Sequence, residues 1–202
     1  MEDNKSYTIE NNTIVIHRGL TELDTFLKEF LGVIKNYTDY LVVSGYVSIS
    51  TGRTRATEDI DILFPIILKE EFYNMFNKLK ENNFWCYQGD DPDEAFNYIK
   101  DFISIRFAKK DRIFPNIEFI PIDKSKKAKY FEFNNPQEIL IKNNQELQFK
   151  IPPIEFEILY KEIILAGKKD IEDAAHLREF FSEILKPEKF REYKPIIEEE
   201  LK

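Results

Sequence analysis

A single cysteine, Cys86, cannot form an internal disulfide, and two histidines, His17 and His176, stand in no metal-ligand spacing. With no tetrad of Cys and His, a structural zinc is excluded. No apolar run approaches the ~20 residues needed to cross a bilayer. The first residues, MEDNKSYTIENN, are polar and acidic and lack the basic and apolar segments of a secretory signal, so a soluble, cytoplasmic protein with no membrane partner is expected. Basic charge is also short. Twenty-nine Lys and Arg against 37 Asp and Glu leave a net charge of -8, which argues against a protein that coats nucleic acid through a broad basic surface. Internal repeats, low-complexity linkers and heptads are absent as well.

What is there suits a globular enzyme or binding domain. At 202 residues, 33% charged and 43% hydrophobic, the chain fits one domain, or one with a helical appendage, and its 18 Phe and 10 Tyr predict an aromatic core. Thr13 to His17 reads as a short strand or arm. Leu23, Phe26, Leu27, Phe30, Leu31 and Ile34 recur at helical spacing from Thr21 to about Tyr37. Leu41 to Val43 form a buried strand, and Tyr46 to Thr51 one or two helical turns. Leu68 to Asn82 is amphipathic, Phe84 to Gln88 an aromatic strand, and Pro92 to Lys100 a short helix. Phe102 to Phe107 and Ile117 to Ile122 read as a hairpin across Lys109 to Pro115. Lys124 to Lys129, KSKKAK, reads as a solvated loop or a nucleic-acid contact. Pro136 to Asn143 suggests a short helix and Leu147 to Ile151 a last strand. After Pro152-Pro153 the chain is helical, in pieces divided by Gly167, Pro187 and Pro195. The expected division is an α+β core over residues 1–151 and a helical region over 152–202.

The stretch Ser44 to Phe64, SGYVSISTGRTRATEDIDILF, is where chemistry concentrates. Asp59 and Asp61 are two apart in an apolar strand, so both carboxylates project from one face. Unscreened, they repel; a raised pKa or a bound Mg²⁺ relieves this, while a plain polar strand face is the bland alternative. Glu118, a lone acid in Asn116-Ile117-Glu118-Phe119-Ile120, is the candidate third carboxylate. Its alternative is a cross-strand pair with Arg106 or Lys109. Asp123, beyond Pro121, is equally at home as a turn residue.

Gly45, the arginine-bearing loop, and Thr57-Glu58-Asp59-Ile60-Asp61 together resemble the nucleotidyltransferase superfamily of the DNA polymerase beta type. Within it the chain looks like small prokaryotic nucleotidyltransferase-like proteins related to toxin nucleotidyltransferases. The resemblance implies an α+β fold with a mixed sheet flanked by helices, plus a helical C-terminal region. It further implies Asp59, Asp61 and Glu118 as catalytic residues and ligands of a two-metal Mg²⁺ site, and an NTP as substrate. Two cations about 4 Å apart activate the attacking oxygen and neutralise the leaving pyrophosphate. Gly45, Ser44, Ser48, Arg55 and Thr57 are the implied nucleotide-binding set; Arg53 is a phosphate ligand or a surface arginine. Tyr46 stands where the family pattern has a second Gly or Ser.

A second resemblance lies in the C-terminal helices. Lys161 falls in an arc bounded by Ile154, Ile158, Ile164 and Leu165, where its ammonium reaches a triphosphate or pairs at i,i+4 with Glu157. Lys168-Lys169-Asp170-Ile171-Glu172-Asp173 follows, with Asp170 a natural N-cap and Asp173 on the side of Leu177, Phe180 and Ile184. A helical lysine followed by K-D-x-x-D is similar to a motif of the same small nucleotidyltransferases, in which lysine and aspartate line the nucleotide pocket. The expected reaction is transfer of an NMP group from an NTP to a hydroxyl of RNA, protein or a small molecule, with tRNA or a protein among the candidate partners. The rival reading is an inactive, antitoxin-like binding module in which Tyr46 blocks the phosphate. A D-x-D glycosyltransferase would need a nucleotide-binding α/β region upstream, and only 58 residues precede Asp59.

Overall fold

In the computed structural model, which describes residues 5–55 and 59–202, Asn11 and Asn12 both take left-handed backbone, at φ 47° and 68°. Asparagine tolerates that region, and two such residues close a tight hairpin. The hairpin joins β1 (Tyr7–Glu10) to β2 (Thr13–Ile16), so the expected arm is one strand of a pair. Thr21 then caps α1 (Glu22–Ile34). Its side chain accepts from the Asp24 N–H, and the Asp24 carboxylate accepts from the Thr21 N–H, a reciprocal cap.

There follow β3 (Leu41–Val43), α2 (Gly45–Ser50), β4 (Asp59–Pro65), α3 (Lys69–Glu81), β5 (Phe84–Cys86), α4 (Pro92–Lys100), β6 (Ile105–Lys109) and β7 (Asn116–Ile122). Next come α5 (Lys127–Asn134), β8 (Gln137–Lys142), β9 (Glu146–Ile151), α6 (Ile154–Tyr160), a π-helical turn over Lys161–Leu165, α7 (Lys168–Phe180) and α8 (Pro187–Glu198).

The strands form two mixed sheets, ordered β3-β4-β7-β6-β5 and β1-β2-β8-β9. In the first, β4 and β7 run parallel and the other neighbours antiparallel. Alternation along β4 sends Ile60, Ile62 and Phe64 to one face, where they meet Phe26 and Phe30 of α1 and Phe72 and Phe76 of α3. Phe30 lies at the centre of this aromatic packing, with ring centroids 5.4 to 5.8 Å from Phe84, Phe107 and Phe119. Offset and edge contacts of this kind add to the burial of each ring. The same core extends to the second sheet through Ile139, Ile141 and Phe149, and to the C-terminal helices through Ile158, Leu177 and Phe181.

Three expectations change. Residues 136–143 are not helical: β8 lies between β2 and β9, and its buried residues Ile139 and Ile141 alternate with a period of two. Tertiary pairing outweighs the local pattern there. The basic cluster is not all loop, because Lys127 and Lys129 open α5. Asp170 is not the cap of α7; Gly167 takes that position and Asp170 folds back over it. Among the described residues, no helix is long and apolar enough to cross a membrane.

Candidate active site

The other face of the first sheet carries a row of side chains in register. Val43 pairs with Asp61, Asp61 with Glu118, and Glu118 with Arg106, so one line crosses four strands. Neighbouring residues in register share a face, which brings Asp61 and Glu118 side by side. Asp59 lies opposite Asn116, whose amide donates to it at 2.8 Å. The sequence therefore places all three carboxylates on one surface through strand alternation and pairing.

Their environments differ. Burial pushes the Asp61 carboxyl up, a hydrogen bond from Ser44 opposes this, and the charges of Glu118 and Asp59 add to the rise. Glu118 accepts from the Ser104 hydroxyl at 2.7 Å and pairs with Arg106 at 2.6 Å. The cross-strand partner foreseen for it is present. Arg106, bonded to Glu118, also feels the charges of Asp59 and Asp61, and so acts as a resident cation of the row.

Clustered carboxylates, one of them pushed up by burial and then by its neighbours' charge, fit a hard divalent ion in their donor chemistry. Asp59 and Asp61 present the fitting oxygens. Glu118, beside them, is occupied by Arg106 and Ser104. Among the described residues no three His, Cys, Asp or Glu side chains form a ready-made cage.

The chain enters this row through a strained turn. Ser44 takes φ 64° and ψ -133° between β3 and α2, a region that favours glycine. Its hydroxyl is the one bonded to Asp61. The small-residue pair of the turn is thus Ser44-Gly45, one residue earlier than Gly45-Tyr46. Tyr46 has no exposed surface: its ring packs at 5.6 Å from Phe149, and its hydroxyl donates to Asp24 at 2.5 Å. Asp24 is held as well by both terminal nitrogens of Arg18, at 2.5 and 3.0 Å. Burial alone would raise the Asp24 carboxyl, but the bonds from Arg18, Thr21 and Tyr46 bring it below its usual value. Tyr46 consequently blocks nothing at the turn.

Gly45 is needed for a different approach. A Cβ there would lie 2.6 Å from the Arg55 Nη1, so the guanidinium rests directly on the glycine. Arg55 pairs with Asp173, which Arg53 also reaches, at 2.6 Å. Lys161 completes the set, 3.3 Å from Asp173 and 3.2 Å from Glu157. Both Lys161 and Asp173 are without exposed surface. The i,i+4 partner of Lys161 is therefore observed, and its ammonium is enclosed. It opens the π-helical turn, a rare local widening of the helix. Ser48 is buried with its hydroxyl unpartnered. Thr57 lies outside the described residues. Asp123 accepts from the Ser125 N–H and hydroxyl, the turn role. His176 bonds Thr51 at 2.8 Å, tying α7 to α2.

Asn116, Ser104 and Lys129 escaped sequence reasoning. Asn116 and Ser104 become visible only when strand register is known. Lys129 was obscured by the dense basic run around it.

Neither a protein-family model nor a curated protein sequence matches the chain. Among solved structures it is similar to an antigenic nucleotidyltransferase-like protein from Paracoccidioides brasiliensis, at a TM-score of 0.54 and 13% identity over 89% of this chain and 88% of that one. ANT(2″)-Ia in complex with adenylyl-2″-tobramycin gives a TM-score of 0.49 and 13% identity, over 90% of this chain and all of that one. The two mixed sheets, the carboxylate row and the flanking helices thus make up an α+β fold of the nucleotidyltransferase type.

Proposed function

We propose that the chain transfers a nucleoside monophosphate from an NTP to a hydroxyl acceptor, with Asp59, Asp61 and Glu118 as catalytic carboxylates. The observation that carries this reading is the in-register row Asp61, Glu118 and Arg106 beside the strained Ser44-Gly45 turn, set in a nucleotidyltransferase-type fold. Asp59 and Asp61 would hold Mg²⁺, which when bound neutralises phosphate charge and activates the attacking hydroxyl. Glu118 exchanges Arg106 for the acceptor and takes up the hydroxyl proton. Arg106, thus released, remains close enough to balance charge on the phosphates.

At the turn, Ser44 supplies a hydroxyl, while the buried Ser48 lies behind it. Arg55, resting on Gly45, is the cation a phosphate would meet there. Lys161 and Asp173 act one step back, by holding Arg53 and Arg55 in place. The acceptor is a hydroxyl of RNA, including tRNA, of a protein, or of a small molecule.

Incubation with labelled ATP, CTP, GTP or UTP, Mg²⁺ and a cellular RNA and protein extract should label an acceptor, and Asp61→Ala should abolish the labelling. Absence of label with every NTP, together with no Mg²⁺-dependent thermal shift from any of them, overturns the reading.

A further inference from the structure

Past Glu118, the same face of the first sheet runs into a cavity of about 580 Å³. Its floor is Ile120, Pro121 and Ile122, the end of β7. Its sides include Lys129 of α5 and Tyr160 of α6. Helix α5 reaches this face because Phe133 packs with Leu41, Val43 and Leu63, the apolar residues beside the carboxylate row. The cavity therefore begins two residues beyond Glu118 on β7, and its walls carry Lys126, Lys127 and Lys129 along with Glu199 and Glu200.

Lys129 is held in a manner that surface lysines are not. Its ammonium lies 3.3 Å from the Glu132 carboxylate and 4.1 Å from the centroid of the Tyr160 ring, while 24% of the side chain stays exposed. Glu132 has no exposed surface, and neither of its carboxylate oxygens accepts a hydrogen bond. Burying a carboxylate in that state is costly. Burial pushes it up to about 7 even with Lys129 beside it. Lys161 offers no exposed ammonium, being enclosed between Glu157 and Asp173.

We propose that Lys129 is a phosphate-binding residue of this site and Glu132 its positioning residue, the ammonium receiving a phosphate of a nucleotide seated in the cavity beside Asp61. The proposal rests on the nucleotidyl-transfer reading and adds to it a lysine outside the implied set. Tyr160, already stacked under the ammonium, keeps it from folding away from the cavity.

The test measures binding of the four NTPs and of inorganic tripolyphosphate to the full chain by calorimetry, with and without Mg²⁺. Lys129→Met should weaken NTP and tripolyphosphate alike by roughly ten- to a hundredfold, the scale of a lost charge-assisted hydrogen bond. Lys129→Arg should retain most of the affinity. Glu132→Gln keeps the charge and loses its aim, raising the KM for NTP more than it lowers kcat, a split that a merely structural role would not give. The double variant Lys129→Met with Glu132→Gln removes both partners, keeps the fold, and should bind as weakly as Lys129→Met. Wild-type affinity in the folded double variant overturns this proposal and leaves the carboxylate reading standing. Failure of the wild type to bind any NTP or tripolyphosphate overturns both.

Discussion

Asp61 and Asp173 are both secluded aspartates on the functional side of the molecule, and they are treated in opposite ways. Asp173, on α7, has three cations around one carboxylate: Arg53, Arg55 and Lys161. Asp61, on β4, has a hydroxyl from Ser44 and two like charges nearby, and its carboxyl is pushed up. In one arrangement three cations surround the acid; in the other, burial and two like charges keep the carboxyl raised despite Lys129 nearby. A closed network resists change and suits a brace; an unfinished one is destabilised until a ligand completes it, which suits a binding site. The contrast fits a bracing role for the C-terminal motif and the proposed chemistry on the strand.

The largest effect expected from that contrast is at Asp173. Asp173→Ala leaves Lys161 buried with Glu157 alone and should cost about 3–5 kcal/mol in urea denaturation. A loss under 1 kcal/mol would mean that the network is not a brace. Next is Tyr46→Phe, which removes the hydroxyl bonded to ionised Asp24 and should cost about 1.5–3 kcal/mol while leaving NTP affinity unchanged. A change in NTP affinity with no change in stability would return Tyr46 to the pocket.

The smallest effect has the reverse sign. Asp61→Asn should stabilise the chain by roughly 0.5–2 kcal/mol at neutral pH while abolishing transfer. Because the folded-state pKa of Asp61 is raised, its carboxyl contributes stability below the ordinary aspartate value that is lost as pH rises through the folded value. The variant should lack that fall, and parallel pH–stability curves for the two proteins would count against the unfinished-site view.

Much of this was legible in the sequence because alternation and helical spacing are local. Asp59 and Asp61 share a face for a reason visible in their spacing, Glu118 joins them through the β4–β7 register, and the nucleotidyltransferase-type fold was implied by the resemblance of the same stretch. Other features depend on partners far along the chain. The break at Ser44-Gly45 was legible, but the left-handed backbone of Ser44 was not. Tyr46 read as an obstruction because it stands where the family pattern has a small residue, while its ring and hydroxyl turn inward to Phe149 and Asp24. Strand β8 read as a helix because its two-residue period is short and its partners β2 and β9 lie elsewhere. Glu132 could not be found at all, since nothing in Lys127–Asn134 marks one face as buried.

The bond from Arg55 to Asp173 spans 118 residues, and it governs the order in which the site can be assembled. During synthesis the strands bearing Asp59, Asp61 and Glu118 emerge well before α7, so the carboxylates can be in place while the loop that follows α2 still lacks its anchor. Long-range contacts of this kind form late because closing them costs chain entropy before it is repaid. A nascent or C-terminally shortened chain would therefore carry the acids without Arg53 and Arg55 held by Asp173.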